Sequence, residues 1–182
     1  DSHTYSIVSV TDANEPPTTI SSHPFVIDTD KLKIDQALDY NTDNFYKLTI
    51  RSTDSGSLHL DSTINITVTN VNESPTDITL SSTTIAENSA SGTTIGTIST
   101  TDEDTGDTHT YTLVSGDGDD DNASFQIDGN ELKTNTVIPN YENDPIPSYS
   151  IRIQSSDNGG LTIQKSFTIN VTDVNEAPTD IM

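Results

Sequence analysis

The sequence predicts an all-β protein made of two tandem sandwich domains. Three observations predict it: a long internal repeat, period-two alternation of apolar residues, and turn signals at regular spacing. Residues 67–78, TVTNVNESPTDI, return at 170–181 as NVTDVNEAPTDI, 103 residues later. The same offset carries Tyr46, Leu48, Ile50, Asp54, Gly56 and Leu58 onto Tyr149, Ile151, Ile153, Asp157, Gly159 and Leu161. Upstream, FVIDTDKLK (25–33) returns as FQIDGNELK (125–133), and DSHTYSIVS (1–9) as DTHTYTLVS (107–115). The small drift in offset marks loop insertions, which belong on the surface. The expected domains are 1–75 and 76–182, the second including the start of a further repeat. Residues 79–106 have no counterpart upstream, so the first copy is expected to lack its first two strands and to have an incomplete core. The parent chain is expected to be longer, a tandem array.

The elements follow in order. TYTLVS (110–115), YSIRIQS (149–155) and FTINV (167–171) alternate apolar and polar residues, the pattern of a half-buried strand. In the last, Phe167, Ile169 and Val171 point inward while Thr168 and Asn170 face water. The turns between them read DGDDDN, IDGN and DNGG. No stretch holds a helical period over a window of about eleven residues. Strands are expected near 78–80, 84–86, 93–99, 109–115, 124–128 with 131–134, 147–155 and 161–172, about seven, the number of a Greek-key sandwich.

Composition narrows the function. Lys and Arg number 7 against 29 Asp and Glu, a net charge of −22, and there is no Cys or Trp. Such a chain is a poor ligand for nucleic acid or an anionic membrane, since both need basic side chains. A disulfide framework is excluded, and no apolar run is long enough for a membrane span. Low hydrophobicity with high net charge is also the composition of disordered chains; the alternating strands argue against disorder, and a bound counter-cation would reconcile the two.

The acidic residues fall into motifs. AEN (86–88), TDEDTGD (101–107), NYE (140–142), SSDNGG (155–160) and DVNEAP (173–178) stand in this order, and several recur in the first copy. Together they resemble cadherin repeats, and the compact DVNEAP linker is similar to the cadherin-like repeats of large bacterial surface and secreted proteins. The resemblance implies a cadherin/immunoglobulin-like sandwich and Ca²⁺ as cofactor. The residues agree: Ca²⁺ takes six to eight oxygen ligands from carboxylates, amides and carbonyls. With no Cys and no spaced His pair, zinc and copper are disfavoured.

The resemblance implies these ligands. The first domain would supply Asp39 and Asn41, the linker Asn70, Asn72 and Glu73, and the second domain Asp102, Asp104 and Asp157. At the far end of the second domain, Glu87, Glu142, Asp173, Asn175 and Glu176 would form a second half-site. Asn41 stands where the second copy has Glu142, Asn70 where it has Asp173, and nothing corresponds to Glu87, so the first domain's share is weakened. The loop 117–122 starts like a calcium loop but lacks its glycine and closing glutamate, and reads first as a solvated turn. Asp12 and Glu15 could add oxygens. Asn65, Asn72, Asn122 and Asn170 sit in Asn-x-Ser/Thr triplets and read as polar strand and loop residues. His3 and His109 read as structural.

The functional expectation is a calcium-rigidified repeat segment of a larger extracellular adhesion or spacer protein, exported and of bacterial type. Its partners are neighbouring repeats, with homophilic or strand-sharing self-association open and APTDIM (177–182) a candidate donor strand. The alternative is a carbohydrate-binding module taking polysaccharide. It is disfavoured because all six Tyr fall into repeat-equivalent pairs, which suits core or corner positions better than a sugar platform. A hydrolase is weakest: the carboxylates map to domain ends and no nucleophile motif appears.

Overall fold

The computed structural model describes residues 2–12, 19–20, 22–142 and 148–177. Glu15 and most of APTDIM lie outside these residues. The chain divides into two compact units, Asp1–Val71 and Asn72–Met182.

The second unit is a sandwich of two four-stranded sheets. Its strands are β6 (Asp77–Leu80), β7 (Thr84–Ala86), β8 (Thr94–Thr101), β9 (Thr110–Leu113), β10 (Phe125–Asp128), β11 (Glu131–Thr134), β12 (Ser148–Ser156) and β13 (Thr162–Thr172). One sheet has the order β10-β11-β8-β6, the other β7-β13-β12-β9. Ladders are antiparallel except that β7 runs parallel to β13, Thr84 opposite Asn170 and Ala86 opposite Thr172. The alternation on β12 is strict: Tyr149, Ile151, Ile153 and Ser155 are buried and their neighbours are not. On β13 Ile169 is fully buried, Phe167 and Val171 half so, and Thr168 and Asn170 are exposed.

The inner faces close on one core. Ile78, Ile95, Ile98, Phe125 and Leu132 of one sheet pack with Ile85, Tyr149, Ile151, Ile153 and Ile169 of the other. Each such aliphatic side chain contributes about 1.5–3 kcal/mol on burial. Phe125 meets Tyr149 edge-on, ring centroids 5.4 Å apart. Ser155, buried in this wall, is satisfied by Thr100 Oγ1 at 2.6 Å.

The first unit repeats part of this plan. Its strands are β1 (His3–Thr11), β2 (Phe25–Asp28), β3 (Lys31–Ile34), β4 (Phe45–Asp54) and β5 (His59–Thr67), in a sheet β1-β4-β5 and a hairpin β2-β3. Phe25 and Tyr46 reproduce the edge-on ring contact at 5.0 Å. The fully buried set shrinks to Val10, Phe25, Tyr46 and Leu48. One expectation is corrected. Because β1 aligns with β9, the described residues of the first unit show no counterpart of three strands rather than two: β6, β7 and β8. Their absence explains the thin core. Ile66 is only half-buried where its equivalent Ile169 is sealed, and Leu60 on β5 is 74% exposed. Tyr5 and Tyr40 are also largely exposed, so the expectation of core positions holds for Tyr46 and Tyr149 but not for every paired tyrosine.

Candidate metal centres

Among the described residues, two groups of three carboxylates have ligand atoms within 4.8 Å of one another: Asp102, Asp107 and Asp157, and Glu87, Glu142 and Glu176. Both lie in the second unit. Ca²⁺–oxygen distances are about 2.3–2.6 Å, so oxygens on opposite sides of one ion stand about 5 Å apart; both groups fit within that span.

The first group is assembled by strand ends. Asp102 follows β8, and its carboxylate accepts from the Asp104 amide at 3.1 Å and contacts His109 Nε2 at 2.8 Å. Asp157 opens the turn between β12 and β13. Its Oδ1 accepts from the Leu161 amide at 2.8 Å, closing the turn, while Oδ2 accepts from Asn72 Nδ2 at 2.9 Å. Burial opposes ionisation of Asp157, but the bonds from Asn72 and the turn amides outweigh it and hold the carboxyl below its ordinary range. Gly159 leaves the space Asn72 fills, since a Cβ there would lie 2.5 Å from the Asn72 amide. Asp104, 5% exposed, accepts the Glu73 amide at 2.7 Å. Thus hydrogen bonds link Asn72 to Asp157, Glu73 to Asp104 and Asp104 to Asp102.

Asp107 is the residue that sequence reading missed. It is the fourth acid of TDEDTGD, and the tight turn through Gly106 (φ 95°) returns it to the group. Its Oδ1 accepts from Asn158, while its buried Oδ2 has no hydrogen-bond partner among the described residues. A buried carboxylate oxygen without a donor is costly, and a cation is the chemistry that would satisfy it.

The second group centres on Glu87, 3% exposed at the end of β7. Its oxygens accept from the Tyr141 amide at 2.5 Å and the Val174 amide at 2.6 Å. These two bonds hold its carboxyl below the ordinary range. Glu176 shifts upward, first because it loses water and then because Glu87, Glu142 and Asp173 repel its charge. Asn88, in the left-handed region at φ 58°, donates to Glu176 Oε1 at 2.9 Å. Asp173 and Asn175 are exposed on the segment after β13.

In neither group of three does the protein supply a Lys or Arg countercharge. Among the described residues, Lys and Arg ion pairs fall on Asp28, Asp61, Asp77, Asp128 and Glu131. The oxygen-only donor sets, the orphaned Asp107 oxygen and this missing countercharge all fit a hard divalent cation.

The other expected residues behave differently. Asp39 accepts from the Asn41 amide and the Thr42 hydroxyl, which depress its pKa, Thr42 most, and form a local turn. Asp39, Asn41 and Asn70 are exposed in the first unit. The loop 117–122 is built as a turn: Asp121 accepts the Ser150 amide at 2.7 Å, Asp119 the Gly116 amide at 3.1 Å, and Arg152 holds the Asp117 carbonyl at 2.9 Å. Asn122 bridges Val114 and Arg152 through its side chain. His109 serves Asp102, whereas His3, whose unit has no counterpart of Asp102, is exposed.

No family model matches the chain. Curated relatives include protocadherin gamma-A11 of Pan troglodytes, 28% identical over 159 residues, covering 82% of this chain and 16% of that protein. Cadherin-4 of Caenorhabditis elegans is 28% identical over 161 residues, covering 85% and 4%. Protocadherin Fat 2 of Mus musculus is 33% identical over 155 residues, covering 81% and 4%. The chain therefore spans a small part of these relatives. Among solved structures, human protocadherin-24 EC1-2 superposes with a TM-score of 0.70 at 20% identity, covering 97% of this chain and 84% of that one. Extracellular cadherin domains 3-6 of protocadherin gamma B2 give 0.68 at 24% identity, covering 96% and 40%. The fold is that of tandem cadherin β-sandwiches, and the relatives support a cadherin-like domain family.

Proposed function

We propose that this chain is a calcium-binding, calcium-stiffened repeat segment of a larger extracellular adhesion or spacer protein, without enzymatic activity. The observation that carries this reading is the pair of carboxylate groups in the second unit, gathered without Lys or Arg. The ligands proposed at one group are Asn72, Glu73, Asp102, Asp104, Asp107 and Asp157; at the other, Glu87, Glu142, Asp173, Asn175 and Glu176. Asp39, Asn41 and Asn70 are the oxygen donors that the first unit offers. When bound, the ion neutralises carboxylates that otherwise repel, and by binding only the folded state it stabilises that state by mass action. Loop and turn amides already orient Glu87 and Asp157, so the ion meets ligands held in place.

The partners proposed are further repeats and other copies; a protocadherin gammaB7 neighbour, at a TM-score of 0.59, is a cis-dimer structure. The relatives are cadherins, which does not favour the polysaccharide alternative. They are animal proteins, and the bacterial reading rests on the linker resemblance alone. Among the described residues no helix is long and apolar enough to cross a membrane. The test is thermal unfolding in Ca²⁺, in Mg²⁺ and in chelator: Ca²⁺ is expected to raise the midpoint most, and a midpoint indifferent to Ca²⁺ would overturn the reading.

A further inference from the structure

The turn between β12 and β13 carries the single Asn-Gly step of the sequence, Asn158–Gly159. Such a step is chemically labile because glycine puts no side chain beside the backbone nitrogen that can attack the asparagine amide. Here a Cβ at 159 would displace the Asn72 amide that faces Asp157. Both residues are exposed to water. The target carbonyl is polarised: the Thr108 hydroxyl donates to Asn158 Oδ1 at 2.6 Å. The amide nitrogen that would leave is drawn toward Asp107 Oδ1 at 3.2 Å. The equivalent step in the first unit, Ser55–Gly56, has no amide to lose.

We propose that Asn158 is a site of spontaneous, succinimide-mediated deamidation and isomerisation, promoted by the Thr108 hydroxyl. The Gly159 nitrogen bonds to Asn158 Cγ, the Cγ–Nδ2 bond breaks, and ammonia leaves with the proton shed by the Gly159 nitrogen. Water then opens the five-membered imide at either carbonyl, giving aspartate or isoaspartate at position 158. No oxidant or cofactor takes part. The product removes the donor to Asp107, adds a negative charge beside Asp102, Asp107 and Asp157, and as isoaspartate lengthens the backbone of the turn that aims Asp157. The step therefore alters the first carboxylate group from within; this consequence alone rests on the calcium reading above.

The experiment incubates the full chain in mildly alkaline buffer at body temperature, with Ca²⁺ or with chelator. Peptide mapping by mass spectrometry and enzymatic methyl-labelling of isoaspartate follow the products. The expected result is conversion at position 158 ahead of every other asparagine, abolished in Asn158→Gln and slowed several-fold in Thr108→Val. Absence of conversion at 158 in the folded chain, over a time in which the digested peptide converts fully, overturns the proposal. An unchanged rate in Thr108→Val overturns the role given to Thr108. Ca²⁺ is expected to slow the reaction by fixing Asp157 and its turn. Equal rates with ion and chelator count against calcium at this group and leave the deamidation standing, so the two failures are distinguishable.

Discussion

Glu87 and Glu176 share one carboxylate group yet are pulled in opposite directions, and each direction has a measurable consequence. Glu87 is held below its ordinary value of 4.5 by the Tyr141 and Val174 amides. The stability it contributes is therefore present above that value and is lost as pH falls through and below it. Metal-free protein is expected to lose melting temperature in that acid window, and Glu87→Gln to flatten the loss. Glu176 is shifted upward by lost hydration and by its neighbours' charge. Its contribution is present below its unfolded value and is lost as pH rises, so at neutral pH its charge destabilises the metal-free fold. Glu176→Gln is expected to raise the melting temperature in chelator and to weaken the response to Ca²⁺; a fall in both would contradict the arrangement. At Gly159 the expectation is steric. Gly159→Ala displaces the exposed Asn72 amide that faces Asp157, so it should shift the calcium midpoint while changing the metal-free melting temperature little, both read by thermal titration.

At the scale of elements, the two units differ in what their sheets are packed against. Ile151 on β12 is sealed between two four-stranded sheets. Its replacement by alanine should cost about 2–5 kcal/mol. The equivalent Leu48 is also sealed, but around it only three other side chains are fully buried in the cluster, and the facing layer is a two-stranded hairpin, marginal by itself. Chemical unfolding is expected to show two transitions, the first unit opening first; a single cooperative transition would refute this. Much of this architecture was legible in the sequence because strands declare themselves by alternation: Phe167, Ile169 and Val171 read correctly from spacing alone. What sequence could not give was closure in space. No spacing in the sequence marks Asp107 as a neighbour of Asp102; it is the Gly106 turn that carries it back. Asn88 looked like the tail of a motif until a left-handed backbone aimed its amide at Glu176. The third missing strand follows from the repeat equivalence of β1 with β9, which places all of β6, β7 and β8 ahead of the first copy's match. Conversely, Asp117, Asp119 and Asp121 carry the alternate spacing of a calcium loop, yet backbone amides claim two of them and Arg152 fixes the third's carbonyl.

For the molecule as a whole, the charge of −22 sets the electrostatics. Monovalent salt should raise the melting temperature of the metal-free protein gradually, because it screens repulsion over about 10 Å at 0.1 M. Calcium should act differently, saturating at far lower concentration because it occupies the two carboxylate groups rather than the bulk. If equal ionic strengths of sodium and calcium salts gave equal stabilisation, screening alone would explain the effect. Few basic residues oppose this charge, and they are spent locally: Lys33 with Asp28 and Lys133 with Asp128 close equivalent hairpins in the two units.

The parallel pairing of β7 with β13 has a mechanical consequence. In the spacer role proposed above, load pulls on the chain that enters and the chain that leaves each unit. In the second unit the chain enters through β6, paired antiparallel with β8, and then crosses to β7, which lies beside the last strand β13 in the same direction, tied at Thr84, Ile85 and Ala86. Tension along them shears all the ladder bonds together instead of peeling them one at a time. Among the described residues of the first unit, the last strand β5 pairs with β4 alone. Stretched end to end, this 182-residue segment is expected to yield at lower force in the first unit than in the second.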